Sequence, residues 1–291
     1  MRRLILNADD FGLTPGVNLA VEELCAAQAL TSATLMARGA AFEGAVAIAK
    51  RQPSLGVGCH IVLVDGSPVS APDKIPTLIG PDGKNFHATL GGFVRALVRH
   101  RIDAADIERE ADAQIAKLRD AGVGVTHIDT HKHTHMFPAV LRPLLRVADE
   151  HRIAAIRNPF EPAWSLRCAG GSLLRRAEIA LLRGFEKQFR RAVENSNCAT
   201  TDGALGILAT GTLDIDAIER MLQAMPEGTW ELVCHPGHID AQLGAINTRL
   251  RRSREIEFEA LGSVFSSANL NHPEIELIHY GMLGSRSREV L

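Results

Sequence analysis

No run in this 291-residue sequence approaches the roughly 20 apolar residues that a membrane span needs. The apolar stretch at the N-terminus is only Leu4-Ile5-Leu6 before Asn7-Ala8-Asp9-Asp10 interrupts it. That is too short for a secretory signal, so a cytoplasmic protein is expected. There is no CxxC pair, and the cysteines (Cys25, Cys59, Cys168, Cys198 and Cys234) are odd in number. They suit no complete disulfide framework and fit scattered thiols in a reducing compartment. Nor is there an excess of charge. With 32 basic and 34 acidic residues the net charge is -2, which gives no whole-molecule attraction to nucleic acid. No repeat, low-complexity tract or linker divides the chain. What remains is a globular composition, 46% hydrophobic and 23% charged, read as one domain over residues 1–291.

Short apolar runs alternate with longer helical patterns. Strands are expected at Leu4–Ala8, Ser32–Ala37, Leu55–Val62, Val125–Asp129, Ala154–Arg157, Thr229–Cys234 and Ile275–His279. Helices are expected at Pro15–Ala29, Phe42–Arg51, Ala104–Ala121, Ala139–His151, Ser172–Val193, Asp216–Met225 and Arg249–Leu261. Thr14 can cap the first helix, and Pro15 suits its first turn. Ile107, Ala111, Ile115 and Leu118 form one stripe of the third, which Gly122 ends. Val64–Gly92 is a long Pro/Gly-rich stretch, and a loop of that length in a compact domain is usually functional. The alternation predicts an α/β fold, a parallel sheet or barrel with helices outside it. Sites in such folds lie at the C-terminal ends of strands.

Four polar clusters stand where strands are expected to end. The first is Asn7-Ala8-Asp9-Asp10-Phe11-Gly12. Two adjacent carboxylates there need a metal, a partner charge or a shared proton if buried. They are expected on a turn, and could equally decorate a helix N-terminus. The second, Gly56-Val57-Gly58-Cys59-His60, has glycines that permit close approach of a ligand or another backbone. The third is His127-Ile128-Asp129-Thr130-His131-Lys132-His133-Thr134-His135. In extended chain His127, Asp129, His131, His133 and His135 share one face. The fourth is Cys234-His235-Pro236-Gly237-His238. Taken singly, His60 or His235 is as readily a hydrogen-bonded rim residue. Together, two histidines and a carboxylate are a standard set for Zn²⁺ or a similar ion. A second, unligated carboxylate can take a proton from water, and a further histidine can protonate a leaving group. Metal-assisted hydrolysis is the chemistry this combination suggests.

The string Asn7–Gly12 resembles the opening motif of the YdjC-like carbohydrate deacetylases, which include chito-oligosaccharide deacetylases. Thr126–Pro138 resembles that family's central motif, and Gly58-Cys59-His60 and Cys234-His235-Pro236 match two others in order and spacing. The resemblance runs from residue 3 to about residue 240. It implies a (β/α) barrel-like fold similar to polysaccharide deacetylases, and removal of an N-acetyl group from an N-acetylglucosamine-type sugar. Residue by residue it implies Asp9 as general base, and Asp10, His60 and His131 as holders of a divalent metal. His235 would be general acid or transition-state stabiliser, with His133, His135 and Arg157 lining the pocket. Zn²⁺ is the ion the ligand types favour, with Mg²⁺ the alternative for an open, partly hydrated site. Lys132 stands where the family often has a third histidine, and on a strand it would face away from the ligands.

The Phe160–Asn195 region looks most similar to family members associated with hopanoid biosynthesis, which implies a glycolipid head group as substrate. The segment 173–194 is amphipathic and rich in arginine, so it could rest on an anionic inner-membrane surface. It reads equally as an outer barrel helix with a solvated basic face. Two other functions fit the same residues: a metal-dependent amidohydrolase acting on a non-sugar amide, and a non-catalytic metal-dependent sugar- or lipid-binding protein. A homodimer and a monomer are both compatible with the sequence.

Overall fold

The computed structural model describes residues 1–170, 173–266, 272 and 274–283. Among these residues seven strands, all paired in parallel, form one sheet: β1 (Arg2–Phe11), β2 (Ser32–Leu35), β3 (Gly56–Ile61), β4 (Ile128–Thr130), β5 (Gly203–Leu205), β6 (Gly228–Cys234) and β7 (Ile275–Leu277). The helices are α1 (Pro15–Ala26), α2 (Phe42–Arg51), α3 (Leu90–Val98), α4 (Ala104–Asp120), α5 (Pro138–Glu150), α6 (Leu173–Leu182), α7 (Glu186–Glu194), α8 (Ile215–Ala224), α9 (Ala241–Ala245) and α10 (Arg252–Phe265).

β1 is the axis of the sheet. Leu4, Ile5, Leu6 and Ala8 are wholly buried, as befits a parallel strand covered on both faces. It pairs along Arg2–Ala8 with β6 on one side. On the other, its first residues pair with β7 and its later ones with β2. The order runs β4-β3-β2-β1-β6-β5. Parallel bridges Ile128↔Ile156 and Ala155↔Ala199 carry the sheet past β4 toward β5 and curl it into a barrel-like ring. Parallel pairing brings every strand's C-terminal end to the same rim.

Local chemistry accounts for the helix starts. Thr14 Oγ1 accepts the Val17 N–H, Asp103 caps α4 and Asp214 caps α8. α4 also carries a buried polar stripe, Asp106, Glu110 and Gln114. Glu110 accepts the N–H groups of Val69 and Ser70, Asp106 that of Thr77, and Gln114 that of Val62. The long loop after β3 is thereby tied to the barrel by its own backbone.

Three expectations are revised. The expected strand Ala154–Arg157 is only the pair of bridges at Ala155 and Ile156. β5 has no strong apolar signature and was not expected; its three residues are held between β6 and the Phe160 carbonyl. The long helix expected at Ser172–Val193 is α6 and α7 separated by a 3-10 turn at Arg183–Phe185, and Ser172 lies outside the described residues. Ile179, Phe189 and Val193 of this stretch are buried against the barrel.

Candidate active site

The two aspartates do not sit on a turn, as the sequence suggested, but inside β1. Its register with β2 slips between Ala8 and Phe11, and Asp10 has a left-handed backbone (φ 65°). Adjacent residues of a regular strand face opposite ways; the irregularity lets both carboxylates reach the rim. The strain of a non-glycine residue there is the sort that concentrates at functional sites.

Asp10, His60 and His131 converge. His60 Nε2 lies 3.4 Å from His131 Nδ1 and 3.7 Å from Asp10 Oδ1, and His131 Nδ1 is 3.6 Å from the same oxygen. A tetrahedral centre with bonds of about 2.0–2.1 Å spaces its ligands about 3.4 Å apart, so these atoms fit a small divalent ion. The tautomer agrees. His60 Nδ1–H donates to Asp129 Oδ1 at 2.8 Å, leaving the Nε2 lone pair toward the other donors. The local charge agrees as well. Burial opposes an imidazolium, yet Asp129, Asp9 and Asp10 raise the His60 pKa to about 9. A field that holds a proton so firmly favours a cation in its place. The trio Asp10, His60 and His131 could therefore hold a metal ion.

β4 delivers His131 and then ends. Its three residues run into a 3-10 turn, His131–Met136, in which Lys132 (φ 57°) and His133 (φ 52°) are left-handed. The period-two face expected for His127–His135 therefore stops at His131. Lys132 turns outward and donates to Asp65 Oδ2 at 2.6 Å, bridging to the long loop. His135 folds back instead: its ring nitrogens meet Thr130 Oγ1 at 2.7 Å and the Arg157 carbonyl at 3.2 Å. His133 stays half-buried, its Nδ1 lacking a partner among the described residues, and burial lowers its pKa to about 3.

Asp9 stands beside the trio and is gripped from behind. Arg157 Nη2 donates to its Oδ1 at 2.6 Å and Nη1 to its Oδ2 at 2.9 Å. Asn7 and Thr34 also donate to Oδ1. Burial penalises the Asp9 charge, but Arg157, His60 and His235 hold its pKa well below the usual carboxylate range. Arg157 is wholly buried and reaches two further acids, Asp129 and Glu231. Arg157 and His135, expected as pocket-lining, thus act from behind the rim, with their polar atoms already engaged.

His235 follows β6. Its Nε2 is 3.8 Å from Asp9 Oδ2, and its Nδ1 has no hydrogen-bond partner among the described residues. Burial, against the pull of Asp9 and Asp10, lowers its pKa to about 4. Its backbone N–H donates to Glu257 Oε2 at 2.6 Å, and Glu257 is itself raised to about 7 by burial. From the same helix, α10, Arg254 Nη2 donates to Asp10 Oδ2 at 2.5 Å. Burial notwithstanding, Arg254, His131 and His60 keep Asp10 well below its ordinary pKa.

The structure thus brings together Asp9, Asp10, His60, His131 and His235, from two strands, β1 and β3, and the segments that follow two more, β4 and β6. Sequence reasoning missed Arg254, Glu257, Glu231 and Thr34, which carry no motif. Asp129 had a usable signal, since it shares the face of His127 in the central cluster.

A sequence model of the family described as YdjC-like protein matches residues 3–270. A carbohydrate deacetylase of Brevibacillus brevis is 31% identical over 283 residues, covering 97% of this chain and 100% of that protein. A carbohydrate deacetylase of Geobacillus stearothermophilus is 30% identical, covering 96% of this chain and 97% of that one. Among solved structures, one from Enterococcus faecalis, described as a cellobiose-phosphate cleavage protein, matches with a TM-score of 0.73. It is 25% identical, and the match covers 97% of this chain and 98% of that one.

Proposed function

The chain belongs to the YdjC-like protein family, and on that footing we propose that it is a metal-dependent hydrolase removing the N-acetyl group from an N-acetylglucosamine-type sugar. The observation that carries this is one acid beside a separate set of metal-type donors. Asp10, His60 and His131 converge, while Asp9 sits next to them committed to Arg157. A binding site for a sugar has no need of the extra base. The relatives from Brevibacillus brevis and Geobacillus stearothermophilus, carbohydrate deacetylases over nearly the whole length, support the reaction.

Asp10, His60 and His131 would hold the ion, and two imidazoles with one carboxylate favour Zn²⁺ over Mg²⁺. When bound, the ion would polarise the acetyl carbonyl and acidify water. Asp9 takes the proton of the attacking water through Oδ2, the oxygen facing His235. Arg157 keeps Asp9 ionised and aimed until then. His235 is neutral near pH 7, so it must receive a proton before giving one up. Asp9 is the acid placed to supply it, and His235 passes it to the departing sugar nitrogen. His133, with a ring nitrogen unpartnered among the described residues, is the further histidine available to the sugar. The products are acetate and a free amino sugar.

All five cysteines are free, in keeping with a cytoplasmic setting. Among the described residues no helix is long and apolar enough to cross a membrane. A second substrate reading, an N-acetylglucosaminyl hopanoid, draws on the resemblance of the Phe160–Asn195 region and on Leu181 of α6, which is 78% exposed on the segment that could meet a membrane. Acetate release by Zn²⁺-loaded protein from chitobiose and from the glycolipid, in parallel, decides between them. Release from either supports the deacetylase reading and names the carrier. Release from neither, with metal bound, would overturn it in favour of a non-sugar amide or a binding role.

A further inference from the structure

The proposed chemistry leaves a group of buried titratable side chains on the barrel axis without a role. Glu231 on β6 and Tyr280, just after β7, are wholly buried, as is His127. Tyr280 is the one tyrosine of the chain, and it lies beyond the stretch that the family model matches. Its hydroxyl donates to Glu231 Oε2. The other oxygen, Oε1, accepts from Arg157 Nε at 2.9 Å and lies 2.7 Å from Arg157 Nη2. Arg157 then presents Nη1 and Nη2 to Asp9.

The surroundings are built to fix Tyr280. The His127 ring stacks on it, 3.9 Å between centroids and 14° from parallel. Gly58 makes room for that ring; a Cβ there would come within 2.5 Å of His127. The Tyr280 N–H donates to Ser32 Oγ at 3.3 Å. Gly58 of the second sequence cluster and His127, the first histidine of the third, thus serve the tyrosine, not the rim.

We propose that Tyr280 and Glu231 are positioning residues for Asp9. The phenol orients Glu231, Glu231 holds the Nε edge of the Arg157 plane, and that plane aims Asp9. A guanidinium is rigid and planar, so gripping one edge sets the direction of the other. Three acids, Asp9, Asp129 and Glu231, compete for Arg157. Without the hydroxyl, Glu231 Oε2 is a buried acceptor with no donor among the described residues, and Glu231 must protonate or rotate. Arg157 then loses its second anchor and is drawn toward Asp129.

This inference rests on the reading of Asp9 as base. The test measures kcat, KM, bound Zn²⁺ and thermal unfolding for Tyr280→Phe, Glu231→Gln, their double variant and Asp9→Asn, on the substrate the wild type deacetylates. Tyr280→Phe should lower kcat roughly tenfold, with KM and Zn²⁺ content unchanged, as when an outer partner of a site residue is removed. Glu231→Gln should lower kcat at least as much, and the double variant should be no slower than Glu231→Gln alone. A wild-type kcat in Tyr280→Phe overturns the inference, as do fully multiplicative losses in the double variant. If Tyr280→Phe does not fold, Glu231→Gln decides by the same kcat-against-KM split. Should Asp9→Asn retain full turnover, the base reading fails and takes this inference with it. Loss of turnover in Asp9→Asn with a normal Tyr280→Phe removes the present inference alone.

Discussion

Replacing Arg254 by methionine separates the chelated protein from the metal-loaded one. Arg254 is 1% exposed and its partner Asp10 is 5% exposed. Removing one member of a buried pair leaves the other charge uncompensated, which costs about 3–5 kcal/mol. Arg254 also donates to the Leu250 and His235 carbonyls, and their loss adds about 1 kcal/mol. Methionine keeps most of the volume, so the charge dominates. With Zn²⁺ bound, the other oxygen of Asp10 faces a cation and the carboxylate is no longer uncompensated. Only the carbonyl bonds and some packing are then lost, about 1–2 kcal/mol. At about 2 °C per kcal/mol for a chain of this size, Tm should fall by about 8–12 °C after chelation and about 2–4 °C when loaded. The gap between the two losses is the gain in metal affinity, because the unfolded chain does not assemble the site. Calorimetry with and without chelator reads both. Equal losses in the two forms would refute the placement of a cation against Asp10.

Gly58→Ala should destabilise by about 1–3 kcal/mol, because its Cβ would meet the His127 ring at 2.5–2.7 Å; an unchanged urea midpoint would show that the ring can give way. Burial holds His127 neutral, with its pKa lowered to about 3, while the unfolded chain protonates near 6.5. Between those values the unfolded state binds one more proton at this site, so stability is lost as pH falls, by about 1.4 kcal/mol per unit. His127→Phe should therefore show a shallower decline in urea midpoint from pH 6 to 4.5, and parallel slopes would contradict this. Lys132→Ala removes a bridge whose side chains are 31% and 44% exposed, so the loss should stay under about 1 kcal/mol with Zn²⁺ stoichiometry intact. Loss of metal in that variant would place Lys132 among the groups that shape the ligand turn.

Much of the site was legible because its residues end strands, and strand ends share a rim in a parallel barrel. Asp9, Asp10, His60, His131 and His235 were readable on that ground. The alternation of His127–His135 misled because β4 is only three residues long and the chain turns left-handed at Lys132 and His133. Two left-handed non-glycine residues leave no mark in a periodic pattern. Arg254 and Glu257 sit among many charged residues of α10, and which of them face inward is set by how that helix lies on the barrel. Tyr280 is separated from Glu231 by 49 positions, and only the pairing of β7 with β1 brings it beneath the site. The bulge that turns both aspartates to the rim is likewise a product of tertiary pairing, not of local preference.

The most direct test of the central claim compares Asp9→Asn with Asp10→Ala, measuring bound Zn²⁺ and acetate release from the same preparations. The account predicts that Asp9→Asn keeps its metal and loses turnover, and that Asp10→Ala loses both. Full turnover in Asp9→Asn, or undiminished metal in Asp10→Ala, would contradict it.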